Sequence, residues 1–137
     1  MSGYPRIARQ VEIPKFIDSA VILAASPVTS PTLDVTGFNQ LTLECKLTYV
    51  ASTKVVAVVY VCSDLATPVW KQIQSASIAA GVSTMSDLSF SRTHPAAADD
   101  DWALNIPLNY KGLKIVFTST GGTTDTIRVD ARLALLQ

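Results

Sequence analysis

The stretch Leu41-Thr42-Leu43-Glu44-Cys45-Lys46-Leu47-Thr48-Tyr49 decides the class of fold. Apolar and polar residues alternate along it, and a period of two belongs to a strand. Leu41, Leu43, Cys45, Leu47 and Tyr49 share one face, while Thr42, Glu44, Lys46 and Thr48 share the other, as a sheet with one wet side requires. After Ala51-Ser52-Thr53 the chain runs from Val55 to Cys62 with apolar, β-branched residues on both faces. Such a strand has to be covered on both sides. The two segments are expected to form an antiparallel hairpin whose second strand lies under another sheet, a neighbouring subunit, or both.

Outward from this centre the same grammar repeats. Ile17 to Ala25 is the first strand expected, closed by Ser26-Pro27, and Leu33-Asp34-Val35 is a short edge segment. Val69 to Ser75 reads as a strand with Trp70 as its large apolar residue, and Ala76 to Ala80 as one weak helical turn ended by Gly81. Leu88-Ser89-Phe90 alternates again. Trp102, Leu104 and Ile106 alternate up to Pro107, which marks an edge strand or a strand end. Leu113 to Phe117 and Thr126 to Leu135 are the last two strands, separated by the turn-rich Thr118 to Thr124. Eight or nine strands with no convincing helix predict an all-β antiparallel sandwich, jelly-roll or immunoglobulin-like. Residues 1–15, broken by Pro5 and Pro14, are expected as an extended N-terminal arm and residues 16–137 as a single β-sandwich domain.

Composition narrows the function. Eleven basic and eleven acidic residues balance to a formal charge of zero, so no nucleic-acid partner is expected. Charged residues are 16% of the chain, against about 25% in ordinary soluble domains. So little charge points to a surface covered by copies of the chain or by a partner. The start has no apolar signal-type segment, and the longest apolar runs fall far short of the ~20 residues that span a bilayer. No membrane partner is therefore expected, and the chain is expected to fold in a reducing cytosol. Cys45 and Cys62 are read as free buried thiols.

Residues with chemical potential are few. His94, the one histidine, would have to serve any nucleophilic triad. It precedes Pro95 in a loop with no serine elbow nearby, and is read as a surface histidine. Asp99-Asp100-Asp101 lacks the alternate spacing of a calcium loop, and is read as a solvated acidic loop or a contact for a basic surface. Glu44 has no mate for paired-carboxylate hydrolysis, and Gly121-Gly122 lacks the lysine and helix of a phosphate loop. Two cysteines and one histidine cannot complete a four-ligand zinc site. No catalytic, metal or cofactor-binding residue is assigned. Trp70 and Trp102 are expected in the core, with stacking on sugars as the alternative.

Several of these segments together resemble a known group. Asp34-Val35-Thr36-Gly37-Phe38, Leu41-Thr42-Leu43, and Ser63-Asp64 followed by Trp70 are similar to β-sandwich modules of tailed-bacteriophage virion proteins. Leu113-Lys114-Ile115, Thr120-Gly121-Gly122-Thr123 and Ile127-Arg128-Val129 look like the closing hairpin of those modules. The resemblance implies a non-enzymatic virion protein made in the host cytoplasm, a capsid decoration or cement protein binding the major capsid protein or another virion protein. A homo-oligomer, with a trimer favoured, is part of that implication. The alternative is a tail or fibre accessory module with a carbohydrate-binding role. The residues expected to make contacts are Arg6, Ile7, Arg9, Val11, Ile13 and Lys15 in the arm, and Asp99, Asp100 and Asp101.

Overall fold

The structure, a computed structural model, describes residues 6–22, 26–121 and 124–137. Twelve strands run in order: β1 (Ile7–Val21), β2 (Val28–Thr29), β3 (Leu33–Asp34), β4 (Gln40–Thr48), β5 (Lys54–Cys62) and β6 (Lys71–Gln72), then β7 (Gln74–Ala79), β8 (Val82–Asp87), β9 (Ser89–Thr93), β10 (Asp100–Pro107), β11 (Gly112–Thr120) and β12 (Thr126–Leu136). One sheet has the order β1-β12-β4-β10. The second is built on β11 and β5, with β2 and β3 beside β11 and with β6 and β9 beside β5. We call these sheet A and sheet B.

The pairings are nested. β1 pairs with β12, β2 and β3 with β11, β4 with β10, and β5 with β9, all antiparallel. The chain is thus one long hairpin, folded over so that its successive strand pairs alternate between two sheets. That winding is the jelly roll, and it decides between the two sandwiches expected from the sequence.

It also corrects both expected hairpins. β4 and β5 do not pair. β4 lies between β12 and β10 in sheet A, and β5 lies between β11 and β9 in sheet B. The residues between them form an arch that carries the chain across the core. The closing pair fails in the same way, because β11 belongs to sheet B and β12 to sheet A. The turn-rich stretch between them includes Gly122 and Thr123, outside the described residues.

Alternation predicts the inner faces well. Leu41, Leu43, Cys45 and Leu47 of β4 are buried beside Ile127, Val129, Ala131 and Leu133 of β12. Across the core they meet Val55, Ala57, Val59 and Val61 of β5 and Leu113, Ile115 and Phe117 of β11. Cys45 and Cys62 are buried free thiols in different sheets, and burial pushes the Cys45 thiol up to about 12. Packing is tightest near Gly112, where an added Cβ would come within 2.5 Å of Cys62 Sγ.

Residues 7–15 are extended, as expected, but they are not separate from the sandwich. They form the first half of β1 and pair with β12 from Ile7 opposite Leu136 to Ile13 opposite Ala131. The boundary expected after residue 15 therefore falls inside a strand. The register of β1 shifts at three places, and at the second and third Lys15 and Ser19 take positive φ angles of 53° and 49°. At the second, the Lys15 amide donates to Asp130 Oδ1 at 2.8 Å instead of to the ladder. Bulges and Pro14 suit a strand at a sheet edge, where they hinder pairing with another chain. Of the strand expected over 17–25, residues 23–25 lie outside the described residues.

Residues 74–87, expected to include a helical turn, form a tight two-stranded ribbon. Ala80 and Gly81 both have positive φ, 50° and 77°, the requirement of a two-residue hairpin turn whose twist matches its strands. β7 and β8 pair from Gln74 opposite Asp87 to Ala79 opposite Val82. Sequence reading missed it because serine and alanine are poor strand markers.

Candidate functional site

The arch between β4 and β5 is held by side chains from distant parts of the chain. Asp125 is fully buried. It accepts from the amides of Val50 at 3.1 Å, Ala51 at 3.0 Å and Ser52 at 3.2 Å, and from the Ser52 hydroxyl at 2.6 Å. Burial pushes its carboxyl up, but these donors outweigh burial and hold it below the ordinary aspartate value. Asp99 accepts from the Tyr49 amide at 2.8 Å. The arch can therefore leave its sheet without orphaning its own donors.

His94 is part of this assembly, and its side chain is only 2% exposed. Nε2 lies 2.9 Å from Ser52 Oγ, and Nδ1 lies 3.2 Å from Asp100 Oδ2. The surface histidine read from the sequence is thus a buried one, packed against Tyr49 and Trp102. Asp100 also takes a two-pronged contact from Arg92, at 2.9 and 3.0 Å. The hydrogen bond from Arg92, ahead of that from His94, holds the Asp100 carboxyl below its usual range.

Ser52, His94 and Asp100 stand in the order of a catalytic triad, but the protons are placed otherwise. The Ser52 hydroxyl donates to Asp125 Oδ2 at 2.6 Å, so its single proton is held away from His94 Nε2. A general base takes that proton from the nucleophile. The amides that could stabilise an oxyanion are taken by Asp125. The cluster works as a clasp.

The acidic triplet is therefore divided among three roles. Asp99 caps the arch, Asp100 is buried in the clasp, and Asp101 is exposed on β10 opposite Lys46. Among the arm residues, Arg6 pairs its backbone with Gln137, and the Arg9 guanidinium lies 4.2 Å over the Phe38 ring. Ile7 and Val11 remain exposed, and Ile13 is half-buried against the core. Trp102 is half-buried against the core. Trp70 is half-buried with Lys114 Nζ 4.6 Å from its ring centre, so neither indole offers a free stacking platform.

What the fold leaves uncovered is a pair of nearly uncharged surfaces. The outer face of sheet A is charged, with Glu12, Glu44, Arg128, Asp130 and Arg132 around a shallow groove of about 220 Å³. The outer face of sheet B carries Val56, Val58 and Tyr60 of β5 beside Val116 and Thr118 of β11, all half-buried. On these two strands its charges are Lys54 and Lys114, and β3 adds the exposed Asp34 opposite Gly112. The ribbon is barer still. Residues 72–86 contain no charged side chain, and Ile78, Val82 and Met85 are 76%, 63% and 60% exposed.

The winding of the two sheets has counterparts among solved structures. The chain matches a chain of the T13 infectious bursal disease virus particle over 93% of its length, with a TM-score of 0.52 and 11% identity. What the two share is the jelly-roll fold. The chain spans about a third of that viral chain, 31% of its length. A chain of the infectious bursal disease virus VP2 subviral particle is similar over 98% of this chain and 33% of its own, with a TM-score of 0.47 and 12% identity. The SPBc2 prophage-derived protein YomS is similar over 98% of this chain and 97% of its own, with a TM-score of 0.43 and 14% identity. No protein-family model matches the chain, and no curated protein matches it in sequence. At these identities the likeness lies in the fold, and the resemblance to virion β-sandwich modules holds at that level.

Proposed function

We propose that this chain is a non-enzymatic structural protein of a virion, a decoration or cement protein that binds the major capsid shell as a homo-oligomer. The observation that carries the reading is the aliphatic, half-buried outer face of sheet B together with the ribbon, whose Ile78, Val82 and Met85 are exposed. Large uncovered apolar surface marks protein contact. A virion-type jelly roll is consistent with that use, as is a Ser52–His94–Asp100 cluster whose protons are committed to holding an arch. The exposed Ile7 and Val11 of β1, with Arg6 and Lys15 nearby, supply a second contact toward the shell. Each contact is small, and repetition over a shell lattice converts small contacts into firm retention. A homotrimer is the expected form.

The test is sedimentation of the purified chain with shells assembled from the major capsid protein of the same virus. Co-sedimentation that saturates at a fixed ratio is expected, and it should weaken with Ile7→Ser and Val11→Ser together. A chain that stays in the supernatant at every concentration overturns the shell-binding role.

A further inference from the structure

The ribbon leaves sheet B after β6 and returns to it at β9, both of which pair with β5. It therefore starts from the edge of the sheet whose outer face is bare. Its base is tied by the Leu88 amide to the Ile73 carbonyl at 2.9 Å and by Gln74 Nε2 to Asp87 Oδ1 at 2.9 Å. Beyond that base β7 and β8 pack chiefly on each other. An isolated two-stranded hairpin is marginal in water, so this one needs a surface to lie on. The strand register puts Ala76, Ile78 and Met85 on one side of it, with Val82 on the other near the tip.

We infer that the ribbon of one copy lies across the outer face of sheet B of a second copy, a head-to-tail contact that can close into a ring. The inference deepens the proposed oligomeric role and rests on it for its biological meaning, but it is tested separately. Three observations select this occupant. Beyond Asp87 at its base the ribbon carries no charge, which disfavours the charged face of sheet A, where acids and bases would lose water without gaining partners. The two central strands of sheet B, β5 and β11, have a matching outward face, aliphatic with Lys54 and Lys114, while the acid Asp34 lies on β3 at the end of that face. Sizes also agree, since six-residue strands span about 20 Å and a sheet four strands wide measures about 14 Å between its outer strand axes. Ribbon and receiving face are different patches on one molecule, so the contact is heterologous and its rotation sets the ring size.

A complementation experiment reads this directly. Light scattering at several hundred micromolar should find the full wild-type chain as an oligomer. Ile78→Lys with Met85→Lys should remove the ribbon contact, and Val56→Lys with Val116→Lys the receiving face. Each double variant should run alone at the monomer mass of 14.6 kDa. An equimolar mixture should recover a dimer, because one variant keeps an intact ribbon and the other an intact face. Val56→Thr with Val116→Thr repeats the face test with near-isosteric side chains, and circular dichroism of each variant checks that the strands remain. Recovery only in the mixture supports the inference. If the face variant keeps the wild-type mass while the ribbon variant does not, ribbons pair with ribbons and the inference fails. It fails too if the mixture stays monomeric, or if the wild type is a monomer. A monomeric wild type that still co-sediments with shells would leave the shell-binding role standing.

Discussion

The arch at residues 49–53 and the ribbon at residues 74–87 are both excursions from the sandwich, built in opposite ways. In the arch the amides of residues 49–52 have left every ladder, and the side chains of Asp99 and Asp125, far along the chain, take them. In the ribbon the backbone pairs with itself, and the side chains have nothing beneath them. The arch thus depends on the whole fold, and the fold depends on it. The ribbon is nearly independent of the sandwich it grows from. Holding the interior together and, as proposed, meeting a partner fall to separate connections of one chain.

This contrast can be broken at either end. Asp125→Ala should have the largest effect, because it strands three amides and a hydroxyl in the interior. A loss of about 3–5 kcal/mol is expected, with unsatisfied buried donors costing about 1–3 kcal/mol each before relaxation, measured by urea unfolding. Acid should act on the same place. The carboxyls of Asp125 and Asp100 are held below the unfolded aspartate value of about 3.9. Their contribution is therefore complete above that pH and is lost as pH falls through the lower folded values. Unfolding midpoints followed downward from pH 5 should drop below about pH 4, and Asp125→Ala should flatten much of that drop.

Smaller effects sharpen the comparison. Ser52→Ala keeps the carboxylate but removes the hydroxyl joining Asp125 to His94, for an expected loss of about 1–3 kcal/mol. Ala80→Asn should tighten the ribbon by about 0.5–1 kcal/mol, since asparagine tolerates the left-handed conformation better than alanine. Slower amide exchange confined to 74–87 would show it. Ile78→Ser with Met85→Ser should change monomer unfolding by less than about 0.5 kcal/mol while weakening self-association. A large loss of monomer stability from that last pair would mean the ribbon supports the sandwich after all.

The sequence revealed faces better than neighbours. Every second residue of β4, and of β12 as far as Leu133, was placed correctly, because burial on one side of a sheet writes itself into a period of two; at the end of β12 it is Ala134, not Leu135, that is buried. Which strand lies beside which is not written there, since a strand crossing the core and a strand turning back leave the same alternation. Both expected hairpins failed for that reason. The clasp was hidden because its members are far apart in the chain and meet only after winding. Asp125 sits in a stretch that reads as turn, and nothing local marks His94 as buried. The ribbon had a signal that was passed over: an uncharged segment centred on Ala80-Gly81, with residues on either side able to pair. The place of Ile7 and Val11 in a strand paired with β12 was not anticipated.

The nested pairing of β1 with β12 has a consequence for biosynthesis. As the ribosome extends the chain, the first strand has no neighbour until the last one emerges, and sheet A cannot be completed before then. Sequence-distant pairing of this kind makes folding slow, and half-made chains expose strand edges that stick to one another. Pro14, in the middle of β1, has no amide proton to offer a ladder and so hinders such pairing during that wait.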